Sequence, residues 1–418
     1  MDALDIAIRV GAPGDWDAIS ELLADLFHDT WSAEESDTER SVWEPARSLV
    51  AEDGDRLAGH AAAYSRELTV PGAVVPAAHV TLVGVAPTHR RRGLLTAMMR
   101  RQLREIAAAG REPIAVLWAS ETKIYPRFGY GPAARRLRLD ISTTEVRLPA
   151  ALPPAYGTPS AKGRLRRVDP GTGWREFAGI YERLRPERPG WSSRDEAWWK
   201  FVLADFPASR HGATRLHGVI YETPDGPAGY AVWRTKDGWT SKGHNGEVQI
   251  REFAAADPES RLELWRFLLS LDLVRSASYG FAPLDEPLQF LVDEPRRLGS
   301  VLADGLWVRI VDLPRALAAR RYAAPLDVVF EVTDAILEDN AGRWRLTVAE
   351  DGAATCTRTG AAPDLACDVL QLGSAYLGAT SPSALAAGGL IRELTPGALR
   401  RTTASFGWDR MPQPSEVF

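Results

Sequence analysis

The sequence predicts a mixed α/β and α+β protein of more than one domain, and three observations carry that prediction. At 418 residues the chain is long for one domain, so two or three are expected. Short apolar strands alternate with amphipathic helices along its first part. Prolines, glycines and small residues then cluster from Leu148 to Gly163, which is typical of a linker. We therefore expect domains over residues 1–150, 151–300 and 301–418.

The composition is that of an ordinary globular protein. Apolar residues make up 45% and charged residues 25% of the chain. Fifty basic against 55 acidic residues give a formal net charge of −5, which argues against general nucleic-acid affinity. The first residues lack the basic and apolar regions of a signal peptide, and no apolar run is long enough to span a membrane. The two cysteines indicate no disulfide framework or zinc site and fit a reducing cytoplasm.

The first domain is predicted from hydrophobic periodicity and turn residues. Alternation with period 2 indicates strands, and an apolar stripe at helical spacing indicates a helix. An acidic stretch indicates a loop with helical pieces, and an Asp-Gly pair indicates a hairpin turn. In chain order we expect a strand at 6–10, a helix from Pro13 to Phe27, a loop over 29–44, hairpin strands near 49–52 and 57–68, a strand at 80–85, a helix from Leu95 to Ile106 and a strand at 114–118.

The rest of the chain repeats this alternation less regularly. In a second unit, from about Arg164 to Pro287, a strand near 248–253 precedes a helix opened by Pro258. This order echoes the first domain, but without its arginines. The third segment reads as α+β. The other expected elements are helices near 177–184, 198–199, 316–320 and 382–387, and strands near 218–221, 229–234, 307–311, 328–332 and 342–348.

The most informative stretch is the turn Arg90-Arg91-Arg92-Gly93, between the strand at 80–85 and the next helix. The first N–H groups of a helix have no partner of their own, and with the helix dipole they form an anion site. Gly93 lets a phosphate approach the main chain without a Cβ in the way. The spacing matches neither a Walker A loop nor a Rossmann fingerprint. A pyrophosphate site is therefore predicted. A solvated helix start, or a basic patch for nucleic acid, is the plainer alternative.

This turn resembles motif A of the GCN5-related N-acetyltransferase (GNAT) superfamily, Arg-x-x-Gly-x-Gly/Ala, with Arg90 and Gly93 in place and Leu95 instead of the last small residue. With the segment 124–133 and the Tyr-Leu-Gly at 376–378, the chain is similar over nearly its full length to the enhanced intracellular survival (Eis) branch. The resemblance implies a catalytic GNAT domain, a degenerate GNAT-like domain and a sterol-carrier-like domain, assembled as a hexamer (a dimer of trimers). It also implies metal-free acetyl transfer from acetyl-CoA to amines, including aminoglycosides and lysine side chains.

The resemblance further assigns residues to acetyl-CoA. Strand residues would offer main-chain groups to the pantetheine, and the arginine turn with the first helical residues would hold the pyrophosphate. A short segment after the next strand would contact CoA again. These residues are Val83, Gly84, Val85, Arg90, Arg91, Arg92, Gly93, Leu94, Leu95, Thr96, Ser120 and Glu121.

Two catalytic roles also follow from the resemblance. Tyr125 matches the general acid, because a phenol with a pKa of about 10 is protonated at neutral pH. Tyr130 is a competitor five residues on, and a packed aromatic without catalytic function is the plainer alternative for Tyr125. The α-carboxylate of Phe418 matches the base, which would orient the amine and take its proton through water. A frayed terminus is the alternative for Phe418. Val417 replaces an acidic residue of the family, and Glu416 is the neighbour able to compensate.

Aminoglycosides are polycations, so their pocket is expected to be acidic with flat apolar walls. By placement against the family, the candidate substrate residues are Phe27, His28, Asp29, Trp31, Trp43 and Trp118. An ordinary acidic surface loop is the alternative. Two other functions stay open: a lipid or acyl-CoA carrier with a vestigial GNAT site, and acetylation of lysines on a dedicated protein partner.

Overall fold

The computed structural model describes residues 6–152 and 163–418 of the chain. The strands are β1 (Ala7–Val10), β2 (Ser48–Asp53), β3 (Arg56–Val70), β4 (Ala73–Val85), β5 (Ile114–Trp118), β6 (Gly131–Pro132), β7 (Arg135–Ser142), β8 (Arg164–Val168), β9 (His217–Thr223), β10 (Gly226–Lys236), β11 (Trp239–Thr240), β12 (Gly243–His244), β13 (Gly246–Ala255), β14 (Val274–Ala282), β15 (Val301–Asp304), β16 (Leu306–Ile310), β17 (Leu326–Thr333), β18 (Gly342–Val348), β19 (Ala354–Arg358), β20 (Leu365–Asp368) and β21 (Ile391–Glu393). The helices are α1 (Trp16–Phe27), α2 (Ala33–Val42), α3 (Leu94–Ala109), α4 (Pro170–Leu184), α5 (Glu196–Val202), α6 (Pro258–Leu269), α7 (Leu288–Leu291), α8 (Leu313–Ala319), α9 (Val369–Ala375), α10 (Pro382–Ala387) and α11 (Ala398–Phe406).

These bounds confirm most of the elements expected from the sequence, and three of them, β5, β18 and α10, have the predicted residues. The strand expected at 80–85 is the last part of the much longer β4. The acidic stretch 29–44 contains one regular helix, α2, which a capping box of Ser32 and Glu35 starts. The cluster from Leu148 to Gly163 lies largely outside the described residues.

The chain divides into two compact units that do not follow its order. The first unit contains the residues up to Arg135, the short segment Pro186–Ser193 and Asp304–Phe418. The second contains Arg136–Arg185 and Arg194–Ala303. Within the described residues, no helix is long and apolar enough to cross a membrane.

The first unit contains a seven-stranded sheet of order β1-β2-β3-β4-β5-β16-β6. Only β4 and β5 in it pair in parallel, and α3 is the crossover between them. Strand β16, grouped by sequence with the C-terminal segment, lies inside this first sheet and pairs with β5 from Leu306↔Trp118 to Ile310↔Ile114. All five of its residues are buried, which suits an interior strand.

The second unit contains a seven-stranded sheet with the same pattern, β8-β9-β10-β13-β14-β7-β15. Its parallel pair is β13 and β14, with α6 as the crossover. The strand beside that pair, β7, comes from the N-terminal part of the chain, just as β16 comes from the C-terminal part. In each sheet, the sixth strand in the order therefore comes from a part of the chain distant from the first five strands.

A third, five-stranded sheet of order β19-β18-β17-β20-β21 completes the first unit. Its core includes the side chain of Arg320, which is only 1% exposed. The guanidinium donates to the carbonyl oxygens of Tyr376 (2.6 Å) and Phe406 (2.9 Å). It also lies 4.5 Å from the ring centroid of Tyr322. A polar group thus fills part of this interior, with its hydrogen bonds made by the main chain.

Candidate active site

A cleft opens in the first sheet because β4 and β5 part. Their parallel pairing runs from Ala77↔Ile114 to His79↔Val116 and then stops. Strand β4 continues for six more residues to Val85, still paired with β3. The last part of β4 therefore has main-chain groups that β5 does not use.

A bulge shapes this free part of β4. The register with β3 shifts between His60 and Ala62, and Leu82 has a φ of +51°. The carbonyl oxygen of Leu82 lies 2.8 Å from Nδ1 of the fully buried His60. Burial lowers the pKa of His60 to about 4, so its ring is neutral at pH 7 and Nδ1 carries the hydrogen that it donates. This buried donor holds the bulge in place.

A cavity of about 490 Å³ lies at the cleft. Eleven of the twelve residues expected to bind acetyl-CoA line it, Arg92 being the exception, and so do Tyr125 and Phe27. Four lining residues were missed by the sequence analysis. They are Leu26, His89, Ile124 and Arg127.

The start of α3 lies in this cavity and has the features expected of an anion site. Gly93 is the N-cap residue with a φ of +81°, a conformation natural to glycine, and no side chain within the described residues caps the helix there. The first N–H groups of α3 are thus left for a ligand. Arg90, Arg91 and Arg127 line the same cavity, and none of them forms an ion pair within the described part of the chain. Unpaired cations around free N–H groups suit a polyanion.

Gly84 shows how closely α1 approaches β4. A Cβ on Gly84 would lie 2.3 Å from Cδ1 of Leu26. The last turn of α1 therefore closes one side of the cavity directly against the strand. A side chain at position 84 would therefore require the side chain of Leu26 to shift.

The two tyrosines after β5 lie in different surroundings. Tyr125 begins a short 3-10 helix, Tyr125–Phe128, and its side chain lines the cavity. Burial, and then the charge of Glu121, raise the pKa of Tyr125 to about 12. Tyr130 is fully buried outside the cavity lining, with its ring centroid 6.1 Å from that of Tyr125. Its hydroxyl has no hydrogen-bond partner within the described residues. Of the two, Tyr125 is the phenol that can reach a ligand.

The candidate substrate residues are not brought together. Phe27 lines the cavity, and His28 and Asp29 follow it as exposed residues at the end of α1. The other three are tryptophans in core contacts outside the cavity lining. Trp43 is 7% exposed and packs at a tilt on Trp16, with ring centroids 5.1 Å apart. Trp31 packs on the same cluster, and Trp118 packs on the core that the first sheet shares with the C-terminal sheet.

Phe418 also lies outside the cavity lining. Its ring meets that of His79 edge-on, with centroids 4.7 Å apart. Glu416 is 7% exposed and its Oε1 accepts a hydrogen bond of 2.6 Å from Arg66. It is thus already paired within the protein, rather than presented to a cationic substrate.

The matching crossover helix of the second sheet lacks an anion site. The side chain of Asp257 caps α6 and accepts from the main-chain N–H of Ser260 at 2.8 Å. A carboxylate therefore occupies the position that the first unit leaves free. The described residues also contain no group of histidine, cysteine and acidic side chains suited to a metal.

These features together are those of a GNAT acetyltransferase. The parallel strands β4 and β5 part beside a bulge in β4, and the uncapped start of α3, flanked by arginines, lies at the opening. Family models agree: residues 7–133 and 190–310 each match an acetyltransferase (GNAT) domain, and residues 313–414 match a sterol carrier protein domain. The sequence expectation of two GNAT domains followed by a sterol-carrier-like domain is confirmed. Enzymes of this superfamily use acetyl-CoA.

Relatives that match nearly the whole chain show which GNAT family it belongs to. An uncharacterized N-acetyltransferase of Streptomyces avermitilis is 44% identical, covering 96% of both chains. The N-acetyltransferase Eis of Mycobacterium tuberculosis is 37% identical over 94% of this chain and 95% of its own. The crystal structure of Eis1 from Mycobacterium abscessus superposes with a TM-score of 0.83 at 32% identity, over 99% of this chain and 100% of the other. The chain belongs to the Eis family of N-acetyltransferases.

Proposed function

We propose that this protein transfers the acetyl group of acetyl-CoA directly to an amine, in a ternary complex at the cleft between β4 and β5. The observation that carries the proposal is that one cavity is lined by both the uncapped start of α3 and the phenol of Tyr125. The first suits the cofactor's diphosphate, and the second suits its leaving thiolate.

The cofactor would bind along the free part of β4. Val83 and Val85 would pair with the pantetheine as an added strand does, while the residues from Arg91 to Thr96 would hold the pyrophosphate. A main-chain N–H of the strand would meet the thioester oxygen as it gains negative charge. Such a donor typically contributes about 2.7–4 kcal/mol to the transition state.

Tyr125 is assigned the role of general acid. The neutral amine nitrogen attacks the thioester carbon, a C–N bond forms as the C–S bond breaks, and the sulfur receives the phenolic proton. Water returns a proton to Tyr125 before the next turnover. Because burial raises the pKa of Tyr125 to about 12, the phenol is protonated at every physiological pH. It is therefore ready to donate when the thiolate forms.

The α-carboxylate of Phe418 is assigned the role of base. It would orient the amine and accept the proton that the nitrogen loses, through a water molecule. The contact of Phe418 with His79 supports this, because His79 is the last residue of β4 that pairs with β5. The terminal residue thus lies where the two strands begin to part.

The acceptor is proposed to be a cationic amine, either an aminoglycoside-like polyamine or a lysine side chain. The segment 29–44 beside α1 supports this, since it contains six carboxylates and one arginine. Asp29 and His28 lie exposed directly after Phe27, at the edge of the cavity. Carboxylates there would attract a polycation and raise its local concentration.

By the resemblance to its family, the protein is also proposed to assemble as a hexamer, a dimer of trimers, and to act in a reducing cytoplasm. Both cysteines are free and buried, and burial raises the pKa of each thiol to about 12, which suits thiols that stay reduced and unreactive. Light scattering coupled to size-exclusion chromatography measures the assembly. A monomer in that measurement would contradict the hexamer.

A panel of amines incubated with acetyl-CoA tests the proposed reaction. Mass spectrometry should find amines that have gained acetyl groups, with free CoA released in equal amount. A panel containing aminoglycosides, polyamines and lysine peptides also ranks the acceptor classes. Acetyl-CoA that binds but is never consumed with any of them would contradict the proposal.

The alternative of a lipid or acyl-CoA carrier is favoured by the sterol carrier match at residues 313–414. The buried guanidinium of Arg320, hydrogen-bonded to main-chain carbonyls, weighs against an apolar tunnel in that domain. Titration with a fluorescent sterol and a fluorescent fatty acid separates the two functions. The carrier function predicts saturable binding, and the enzyme predicts none in this domain.

A further inference from the structure

The last residues of the chain are docked on a short segment that the first unit takes from the middle of the sequence. We call residues 411–418 the tail and Pro186–Ser193 the docking segment. The docking segment runs beside β3, with hydrogen bonds of 2.8 Å from Gly190 N–H to Thr69 and from Thr69 N–H to Trp191. The tail lies on the docking segment in turn. Gln413 N–H donates to the carbonyl oxygen of Pro189 at 2.8 Å.

One ion pair connects the tail to the sheet itself. Arg66 of β3 donates through Nη2 to Glu416 at 2.6 Å, and it also donates to the carbonyl oxygen of Ser193 at 2.8 Å through Nε. Arg66 is 5% and Glu416 7% exposed. A single buried guanidinium therefore binds β3, the docking segment and the tail together. Breaking one partner of a buried pair is costly, so this contact contributes to holding the tail in place, together with its hydrogen bonds to the docking segment.

A second contact fixes the end of the tail. Burial lowers the pKa of His79 to about 3, so its ring is neutral at pH 7. Nδ1 faces the carbonyl oxygen of Ala77 at 3.0 Å and must carry the hydrogen, which makes Nε2 the acceptor for the hydroxyl of Ser192 at 2.8 Å. This oriented ring packs against Phe418.

The tail lies on the face of the sheet opposite α3. Ala78 and Val80 of β4 pack in one cluster with Met99 and Leu103 of α3. The side chain of His79, between them in the strand, therefore points to the other face. The cavity opens beside α3, and Phe418 lies on the opposite face of the same strand, which leaves that face for the amine.

We propose that the Arg66–Glu416 ion pair positions the tail as the wall of the amine site, with Arg66 and Glu416 as positioning residues for the acetyl transfer. This proposal rests on the proposed function, since it assigns the acceptor side of that reaction. It predicts that loosening the tail impairs turnover while the acetyl-CoA site is unaffected. Glu416 would act through the placement of Phe418 and would not contact the substrate.

The test compares wild type with Glu416→Ala and Glu416→Gln, using acetyl-CoA with kanamycin A as the amine probe. The matched control is Glu252→Ala, because Glu252 is 6% exposed and pairs with Arg194 at 2.9 Å in the other unit. Glu416→Ala should lower kcat by about tenfold or more, since small misplacements of reacting groups have effects of that size. The Kd of acetyl-CoA should stay within about twofold of wild type. The kcat of Glu416→Gln should lie between those of wild type and Glu416→Ala, because its amide oxygen can still accept a hydrogen bond from Arg66.

Amide hydrogen exchange of residues 411–418 gives an independent readout. The proposal expects faster exchange of the tail in Glu416→Ala than in wild type or in the control. A kcat at the wild-type value in a variant with a loosened tail would overturn it, and so would an equal loss of kcat in Glu252→Ala. Should Glu416→Ala fail to fold, Glu416→Gln decides by the same comparison. Failure of the proposed function is distinguishable, because wild type itself would then acetylate no amine.

Discussion

Tyr125 and Tyr130 differ in surroundings rather than in chemistry. Both pKa values are raised by burial, but only Tyr125 lines the cavity. The sequence left the choice between them open, because five residues of spacing do not determine which ring reaches a ligand. The short 3-10 turn from Tyr125 to Phe128 separates them.

Replacing Tyr125 with phenylalanine should lower kcat by about tenfold or more, as the loss of a general acid does. The Kd of acetyl-CoA, measured by titration calorimetry, should change little, because the diphosphate site is elsewhere. Tyr130→Phe is the matched control. It removes a buried hydroxyl that has no partner in the described part of the chain, so both kcat and stability should be nearly unchanged. Unchanged turnover in Tyr125→Phe would remove this residue from the mechanism.

The pH dependence of kcat gives a second test of Tyr125. The acid form is required, and its pKa is raised to about 12, so deprotonation of this phenol should cause no loss of rate between pH 7 and 10. A steady-state profile in that range measures it. A fall in kcat with rising pH below pH 10 that is absent in Tyr125→Phe would contradict the raised pKa of Tyr125 and burial as its cause.

Buried His60 should make the fold less stable in mild acid. Its pKa is about 4 when folded and about 6.5 when unfolded, so between these values the unfolded chain binds the proton. The contribution of His60 to stability is therefore nearly complete at neutral pH and falls as the pH drops below 6.5, by about 2 kcal/mol between pH 7 and pH 5. Buried His79, whose pKa is about 3, adds a loss of its own in the same range. Urea unfolding at the two pH values measures this. His60→Asn keeps an N–H donor for Leu82 without titrating, so it should show a smaller loss. An equal loss in both would mean that His60 is not its source.

At the scale of elements, the start of α3 is the feature that the sequence predicted best. A strand, a glycine at a turn and an amphipathic helix are all local patterns, and the structure has them in the predicted order. Anion binding at the helix start stays a prediction. The tryptophans were predicted less well. Trp43 was assigned to the substrate by placement against the family, but it packs on Trp16 in the core. Trp43 directly follows α2, so its packing on Trp16 depends on the path of that helix. Sequence periodicity does not predict that path.

Arg91→Glu should raise the Kd of acetyl-CoA by at least about tenfold, or about 1.4 kcal/mol, because it puts a negative charge beside the diphosphate. Titration calorimetry measures the change. Arg104→Glu alters the net charge equally on the exposed side of the same helix, and its Kd should stay near that of wild type. Equal weakening in both variants would assign the effect to overall charge rather than to the anion site.

At the scale of the whole molecule, the chain repeats one sheet pattern twice, and our proposal assigns acetyl-CoA to the first sheet alone. Strand order and the crossover helix are common to both sheets. The difference lies at the helix start, where Asp257 caps α6 and Gly93 leaves α3 uncapped. The repeat and the missing arginines of the second unit are both visible in the sequence. Local patterns do not predict that β16 and β7 fill the sixth positions, since these pairings join residues about 130 to 200 positions apart in sequence.

Titration with acetyl-CoA should therefore give one binding site per chain. The carboxylate of Asp257 would repel a diphosphate at the second helix start, so no second site of comparable affinity is expected. Calorimetry of wild type supplies the stoichiometry, and Gly93→Asp should remove the binding altogether. Two equivalent sites per chain would contradict this account of the second unit.

A crystal structure of the complex with coenzyme A tests the central claim most directly. The account predicts that the diphosphate oxygens lie within hydrogen-bonding distance of the main-chain N–H groups that start α3, with the thiol directed toward Tyr125. A diphosphate bound anywhere else, with the N–H groups at Gly93 left facing solvent, would contradict it.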